Sequence, residues 1–314
     1  MFTGFLSNRR VQVGFAILGV FILVAIFSGP LLSLYGTSPF DVDYNHLHTP
    51  PLVGGHPLGT SISGQDLLAQ TISGARGSIT VGVLSGIIAT VLAMLVGVTS
   101  GFLGGPVDHT LNAFTNVVLT MPSFALTLIV AGYVSANGGT GTNPALGLGF
   151  MAVLIGIFEW PGGARYLRSQ TLSLRGRDFA MATKMLGEST WRLIMVEVLP
   201  HLMGIISAMF LRAVVAGIFA EAGLNFLGIS TQGSISWGTM ISNAQTQGAF
   251  TYGWWWWFLT PGLCIALVGT ATALINFGLD EVTNPRLRTA NRSVVRRFER
   301  QQKRLARAAV REAA

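Results

Sequence analysis

The sequence is poor in charge and in cysteine. Only 11% of its 314 residues are Asp, Glu, Lys or Arg, whereas about 25% is usual for a soluble globular protein. This scarcity of charged residues argues against a soluble globular domain. The single cysteine, Cys264, excludes a disulfide bond within the chain and lies in an apolar stretch, so we interpret it as a small apolar side chain.

Motifs for catalysis and nucleotide binding are also missing. The chain has no G-x-x-x-x-G-K-[ST] loop, so we predict that it binds no ATP itself. It has no H-E-x-x-H, no Cys–His cluster and no G-x-S-x-G elbow, which leaves a membrane protease or lipase without a chemical centre. We therefore predict no catalytic residue, no metal site and no cofactor bound by this chain.

Apolar residues are abundant and occur in long blocks. They make up 50% of the chain, and the mean hydropathy is +0.56. A helix of about 20 apolar residues can cross the roughly 30 Å hydrocarbon layer of a membrane. The blocks predict an all-α, polytopic membrane protein with six transmembrane helices. They lie at about 11–35, 79–102, 111–133, 146–166, 199–222 and 254–279.

The basic residues predict the orientation of these helices. Arg9 and Arg10 precede the first block, a second group lies between 165 and 192, and ten more follow the last block. By the positive-inside rule, both termini and the 165–192 region belong in the cytoplasm. The first block lacks a small-residue cleavage site, so we expect a retained helix rather than a signal peptide.

These features divide the chain into four parts. Residues 1–35 form a cytoplasmic N-terminus and the first transmembrane helix, and 36–76 form an extracytoplasmic extension rich in Pro, Gly and polar residues. Residues 77–283 form a core of five helices, with a cytoplasmic loop at 169–198. Residues 284–314 form a basic cytoplasmic tail, for which we expect contact with membrane lipid and no nucleic-acid binding.

The extension contains His46, His48 and His56 within a short span. Two interpretations are open. These side chains are either ordinary hydrogen-bonding histidines of an extracytoplasmic loop, which we favour, or ligands of a metal site.

The segment 181–200, MATKMLGESTWRLIMVEVLP, alternates apolar and charged residues, and Gly187 separates two short helical pieces. It resembles the "EAA" loop of binding-protein-dependent ABC importer permeases. Met181 replaces the motif's glutamate and Thr183 its second alanine. The matched positions are Met181, Ala182, Thr183, Gly187, Leu199 and Pro200.

Further segments extend the resemblance as far as about residue 288. In order along the chain, they are similar to signatures of the second permease subunit of the oligopeptide, dipeptide and nickel importer family. They are HPLGTSISGQDLLAQTISGARGSITVG, GFLGGPVDHTL, EAGLNFLGI, SWGTM and NPRLR.

The resemblance implies a role and a set of partners. The protein would sit in the bacterial plasma membrane as a multi-pass permease, paired as a heterodimer with a homologous permease subunit. Two cytoplasmic ATPase subunits would bind ATP and Mg, and a substrate-binding protein would dock outside, on the extension and the 223–253 loop. SISWGTM in that loop is alternatively a packing turn. The residues assigned to ATPase coupling are Met181, Ala182, Thr183, Gly187, Glu188 and Pro200.

Candidates for the translocation path are Arg212, Trp255 and Trp256. Arg212 lies near the middle of the fifth block, where a charge is costly unless it faces protein or water; it lines the path, pairs with the partner subunit, or snorkels. The tryptophans sit at the outer end of the last block and either anchor in the headgroup region or stack on a substrate ring. Glu159 and Glu221 are interpreted as structural.

The substrate class stays open at this level. Short peptides come first, oligosaccharides of the beta-glucoside or cello-oligosaccharide type are the alternative, and nickel complexes follow. A self-contained channel or secondary carrier is the competing class, but neither needs a coupling loop, and no inverted repeat is visible.

Overall fold

The computed structural model describes residues 8–137, 144–177, 185–229 and 233–283. Across these ranges the regular secondary structure is helical, with isolated β-bridges in the extension and no strand. The helices are α1 (Arg9–Ile26), α2 (Ser28–Tyr35), α3 (Leu67–Leu103), α4 (Gly105–Thr120), α5 (Ser123–Ala136), α6 (Pro144–Arg175), α7 (Thr190–Phe226), α8 (Trp237–Thr246), α9 (Ala249–Tyr252) and α10 (Trp255–Thr283).

Five of these helices, α1, α3, α6, α7 and α10, are long and apolar enough to cross a membrane. The prediction of an all-α polytopic protein is therefore confirmed. The predicted third span is not one straight helix: α4 and α5 meet at a bend of 75°. Pro122 follows Met121, whose backbone is extended at φ −85° and ψ 131°. A proline has no N–H to continue a helix and disfavours helical geometry in the residue before it, so α4 ends there.

Helix α3 is the centre of the bundle and packs against α1, α6 and α7. It carries two G-x-x-x-G motifs. Gly82 and Gly86 face α7, where a Cβ added to Gly86 would lie 2.8 Å from Val214 Cγ2. Gly97 and Gly101 face the backbone of α6. Small residues at this spacing let membrane helices approach closely, so the two motifs dock α3 onto a different neighbour at each end.

The two ends of the bundle are built differently. At one end, the extension and α8 lie against the starts of α10 and α3: the Trp256 indole of α10 donates to the Thr60 carbonyl of the extension, and the Trp237 indole of α8 donates to the Thr71 carbonyl of α3. We call this the extension end. The opposite end joins the last turns of α3 and α6 to the start of α7 through buried apolar side chains such as Leu174 and Val198. We call it the arginine end, after its exposed and half-buried arginines.

Candidate functional site

A cavity of about 290 Å³ opens between α3, α6 and α7, near the middle of each helix. Two charged side chains border it, Glu159 from α6 and Arg212 from α7. The other lining residues are small or apolar: Ala89, Thr90, Ala93, Trp160, Gly163, Met209, Ala213 and Ala216. Alanine and glycine side chains are too short to fill the space between the helices, which leaves room beside the two charges.

Within the part of the chain that the structure describes, neither charge has a close partner. No hydrogen bond and no ion pair within 4.0 Å joins Glu159 or Arg212 to another residue of the described ranges, although the two interact electrostatically at longer range. A charge at mid-membrane depth is costly, and it normally faces water, another charge or a ligand. The cavity therefore has the properties of a polar recess in an otherwise apolar bundle.

The structure separates the residues predicted for the path. Arg212 borders the cavity, but Trp255 and Trp256 lie at the extension end. Trp256 is buried beneath the extension, and Trp255 is exposed and contacts Trp256 edge to face at 5.9 Å between ring centroids. Sequence reasoning did not select Glu159 for the path. Its position on α6 gave no sign that it shares a cavity with a residue of α7, because that depends on how the two helices pack.

Only some of the predicted coupling residues lie within the described ranges. Met181, Ala182 and Thr183 lie outside the described residues. Gly187 has φ +80°, the left-handed region that favours glycine. The two residues before it in the described range are very exposed, Met185 at 88% and Leu186 at 82%. This short apolar pair projects from the arginine end.

Helix α7 starts at Thr190, three residues after Gly187. The Ser189 side chain accepts a hydrogen bond from the Arg192 N–H as the N-cap, and Glu188 pairs with Arg192 at 2.7 Å. Leu193–Val198 then form a π-helical stretch that precedes Pro200. A proline ring crowds the carbonyl four residues earlier, and a wider π turn is a known way for a helix to accommodate such a break. Pro200 thus lies at an irregular joint between the loop and the long helix.

A second contact fixes the arginine end. Arg168 of α6 forms a bidentate ion pair with Asp108 of α4, with Nε at 2.6 Å from Oδ1 and Nη2 at 2.7 Å from Oδ2. The Ser100 hydroxyl of α3 donates to the same carboxylate at 2.5 Å. Bidentate guanidinium–carboxylate pairs are geometrically specific. Three helices are therefore held in register next to the predicted coupling residues.

A buried carboxylate, Glu221, joins helices α3, α7 and α8 near the extension end. Glu221 of α7 accepts hydrogen bonds from Ser236 Oγ at 2.5 Å, Asn225 Nδ2 at 2.5 Å and Ser78 Oγ at 3.5 Å. Trp237, in the SWGTM segment, is fully buried. The segment is thus a packing joint between α3, α7 and α8, and its tryptophan is not presented at the surface.

The histidines of the extension do not share one environment. His46 and His56 converge on Asp43, whereas His48 lies beside Trp254. Hydrogen bonds from His46 and from the Asn45 N–H lower the pKa of Asp43 to about 2. Burial lowers the pKa of His56, but its hydrogen bonds to Asp66 and Asp43 outweigh burial, and the pKa is raised overall.

Comparison with known families gives two matches. Residues 89–289 match the family described as "Binding-protein-dependent transport system inner membrane component". Residues 1–51 match "N-terminal TM domain of oligopeptide transport permease C". Together the two matches cover most of the chain, including the cavity and the arginine end.

Individual relatives are similar over nearly their full length. The oligopeptide transport system permease protein OppC of Mycobacterium tuberculosis (strain ATCC 25618 / H37Rv) is 35% identical over 92% of this chain and 95% of its own. OppC of Bacillus subtilis (strain 168) is 30% identical over 90% and 88%. The dipeptide transport system permease protein DppC of the same strain is 30% identical over 90% and 83%.

Proposed function

Because the chain belongs to the family of binding-protein-dependent transport system inner membrane components, we propose that it is the transmembrane permease subunit of an ATP-driven ABC importer and forms half of the translocation pathway for short peptides. It is a multi-pass protein of the bacterial inner membrane. The observation that carries the substrate class is the end-to-end similarity to oligopeptide and dipeptide permeases.

The chemistry of the cavity supports a peptide substrate. A short peptide has an ammonium group at one end and a carboxylate at the other. Glu159 and Arg212 offer one charge of each complementary sign at the border of a single cavity. In this proposal Arg212 binds the C-terminal carboxylate, since a guanidinium matches it in a bidentate geometry, and Glu159 accepts from the ammonium group. In this proposal a homologous permease subunit forms the other half of the pathway, as a heterodimer with this chain.

The exposed apolar residues of the arginine end support contact with ATPase subunits. Met185 and Leu186 stand free of the bundle next to Gly187, and an exposed apolar patch is typical of a protein interface. We place the coupling contact on the 169–198 region, which runs from the last turns of α6 to the start of α7, and assign it to Met181, Ala182, Thr183, Gly187 and Glu188. Pro200 lies at the joint that passes the movement to α7. The ATPases bind ATP and Mg, and this chain acts without a catalytic centre of its own.

This assignment also sets the orientation. The arginine end and both termini face the cytoplasm, in accord with the positive-inside rule. The extension end then faces outward, where the substrate-binding protein docks on the extension. A movement of the loop reaches the outward end only if the two ends are rigidly connected, and α3 runs as one continuous helix from Leu67 to Leu103.

Transport by the reconstituted complex tests this function. The permease pair, the ATPases and the binding protein are placed in liposomes, and uptake of a labelled tetrapeptide is compared with uptake of cellotetraose. We expect uptake of the peptide with ATP and none with a non-hydrolysable analogue. A peptide acetylated at its N-terminus and amidated at its C-terminus is the matched control for the two charges.

The other outcomes identify the alternatives. Uptake of cellotetraose alone would assign the complex to oligosaccharide transport and overturn the peptide assignment. Uptake by the permease alone, without ATP or ATPases, would identify a self-contained channel or secondary carrier.

A further inference from the structure

We propose that the extension binds a divalent transition-metal ion of the zinc class through Asp43, His46 and His56. This site differs from our expectation that the chain holds no metal. It is independent of the transported substrate, because it lies at the extension end, away from the cavity between α3, α6 and α7.

The three side chains converge on one point. One donor atom from each lies within 4.8 Å of the others. His46 Nδ1 is 2.8 Å and His56 Nε2 is 3.4 Å from the same oxygen, Asp43 Oδ2. Donors bound to zinc at about 2.0–2.1 Å in a tetrahedron are about 3.3–3.5 Å apart. A small adjustment of side chains is therefore enough for all three to reach one ion.

Asp66 orients one of the ligands. Its Oδ2 lies 2.6 Å from His56 Nδ1, and the residue is only 1% exposed. The carboxylate is itself held by the Ala69 N–H at 2.8 Å and the Tyr35 hydroxyl at 3.0 Å. With the Nδ1 proton directed to Asp66, the lone pair of His56 Nε2 points toward Asp43. A carboxylate behind a histidine in this manner is the usual support of a metal-binding imidazole.

The other two ligands are also held in place. The Asp43 N–H donates to the Gly64 carbonyl, and Asp43 Oδ1 accepts from the Asn45 N–H. The His46 carbonyl accepts from the Thr60 hydroxyl at 2.6 Å. The His46 ring lies directly over Gly54, where a Cβ would come within 2.6 Å of Nε2. The ligands are therefore positioned by the fold of the extension before an ion arrives.

The pattern of exposure fits an ion that enters from solvent. The side chains of His46 and Asp43 are 37% and 33% exposed, whereas that of His56 is 12% exposed. Three protein ligands leave a fourth position for water, the arrangement of an open zinc site. An ion bound here connects the 43–46 turn to His56 and, through Asp66, to the first turn of α3. Its expected effect is to hold the extension onto the bundle.

Metal titration of the purified transport complex tests the proposal. The complex carries an affinity tag without histidine and is first treated with a chelator. Co²⁺ is added while the d–d absorption is recorded, and Zn²⁺ is then added as a competitor. We expect saturation at one ion per copy of this chain, displacement by Zn²⁺, and a rise in the thermal unfolding temperature of this chain when Zn²⁺ is present.

Three variants decide whether these residues are the ligands. His46→Ala and Asp43→Asn change half-exposed ligand side chains, and each should weaken binding by at least the roughly tenfold that the loss of an outer-shell partner of a ligand already causes. His48→Ala, from the same extension but outside the cluster, is the matched control and should bind like the parent. Each variant is first shown to assemble with its partners, which separates loss of a ligand from loss of folding.

Two results would overturn the site. One is the absence of saturable Co²⁺ binding at millimolar concentration in the parent complex. The other is binding that His46→Ala and Asp43→Asn leave unchanged, which would place the ion elsewhere in the complex.

Discussion

Two charged residues of the membrane interior, Arg212 and Glu221, have opposite surroundings. Glu221 is fully buried and its carboxylate accepts three hydrogen bonds. Arg212 is exposed at the border of a cavity and has no hydrogen-bond partner among the described residues. A buried group with its partners satisfied contributes to structure, whereas an unpaired charge at a recess is available to a ligand. The two residues should therefore respond differently to substitution.

Arg212→Ala should reduce peptide uptake by the reconstituted complex about tenfold or more, because a hydrogen bond between charged groups contributes about 1.5–3 kcal/mol. Assembly with the partner subunits should be unaffected. Arg212→Lys is the matched variant and should keep part of the activity, since it retains the positive charge but not the two parallel N–H donors of the guanidinium group. Equal losses of uptake and assembly in Arg212→Ala would instead assign a structural role.

Glu221→Ala should destabilise the protein by about 2–4 kcal/mol, because it removes the carboxylate acceptor of the Ser236 hydroxyl and of one Asn225 amide hydrogen in a buried joint. The measurement is the thermal unfolding midpoint in detergent. Glu221→Gln keeps an acceptor oxygen and should lose less. A midpoint for Glu221→Ala equal to that of the parent would contradict the role of this carboxylate as the joint of α3, α7 and α8.

At the scale of helices, α3 determines how its neighbours pack. Its two G-x-x-x-G motifs face α7 and α6, and a Cβ atom at any of these glycines would collide with the neighbouring helix. Glycine therefore allows the backbones to approach closely at these positions. Helix α7 shows the opposite property at its start, where a π-helical stretch and Pro200 interrupt regular helical geometry next to the proposed coupling region. Close packing along the core and irregularity at the loop fit a rigid bundle with one deformable joint.

Gly86→Ala should lower the thermal stability by about 1–3 kcal/mol, the usual cost of overpacking. The added Cβ meets Val214 of α7 at both its side chain and its backbone, so the helix itself has to move. Gly19→Ala in α1 is the control, because a Cβ there has open space and alanine is the better helix former. Equal midpoints for the two variants would show that α3 and α7 do not pack as described.

Leu186→Asp should reduce ATP-driven uptake strongly while leaving membrane insertion intact, because it places a charge on the apolar pair proposed to contact an ATPase. Leu186→Met, which keeps an apolar side chain of similar size, should behave like the parent. The readout is the number of peptides taken up per ATP hydrolysed. An unchanged ratio in Leu186→Asp would show that this residue does not contact an ATPase. Deletion of residues 181–192 should abolish ATP-driven uptake, and normal uptake by that variant would show that the loop does not couple the permease to the ATPases.

For the whole molecule, the helices run alternately between two ends of different character. The extension, α8 and the tryptophans Trp237 and Trp256 lie at one end, and the Asp108–Arg168 pair and the start of α7 lie at the other. This division agrees with the distribution of basic residues, and it puts the proposed metal site and the proposed coupling region at opposite ends of the bundle.

Cysteine labelling in intact cells tests this topology. After Cys264 is replaced by alanine, Tyr44→Cys in the extension and Met185→Cys in the loop each introduce a single thiol at an exposed position. A maleimide that does not cross the inner membrane should label Tyr44→Cys in spheroplasts and label Met185→Cys only after lysis. The reverse pattern would invert the orientation and place the coupling loop outside.

Much of the architecture was predictable from the sequence. The apolar blocks identified the crossing helices, because a helix hydrogen-bonds its own backbone and can be recognised from about 20 consecutive residues. The bend at Pro122 was harder, since proline is also tolerated inside membrane helices, as Pro161 and Pro261 are in α6 and α10. Whether a proline ends a membrane helix or lies within it depends on how neighbouring helices pack around it.

The sequence by itself determined the helical class, the membrane location and the lack of a nucleotide-binding loop, all of which depend on local runs of residues. The tertiary structure alone decided that Glu159 shares a cavity with Arg212, that Trp256 lies beneath the extension, and that Asp43, His46 and His56 surround one point. These groupings join residues from different turns or helices. They depend on which faces of the helices and turns pack against each other. The residues of one segment do not determine that packing, because it also depends on the segments against which it packs.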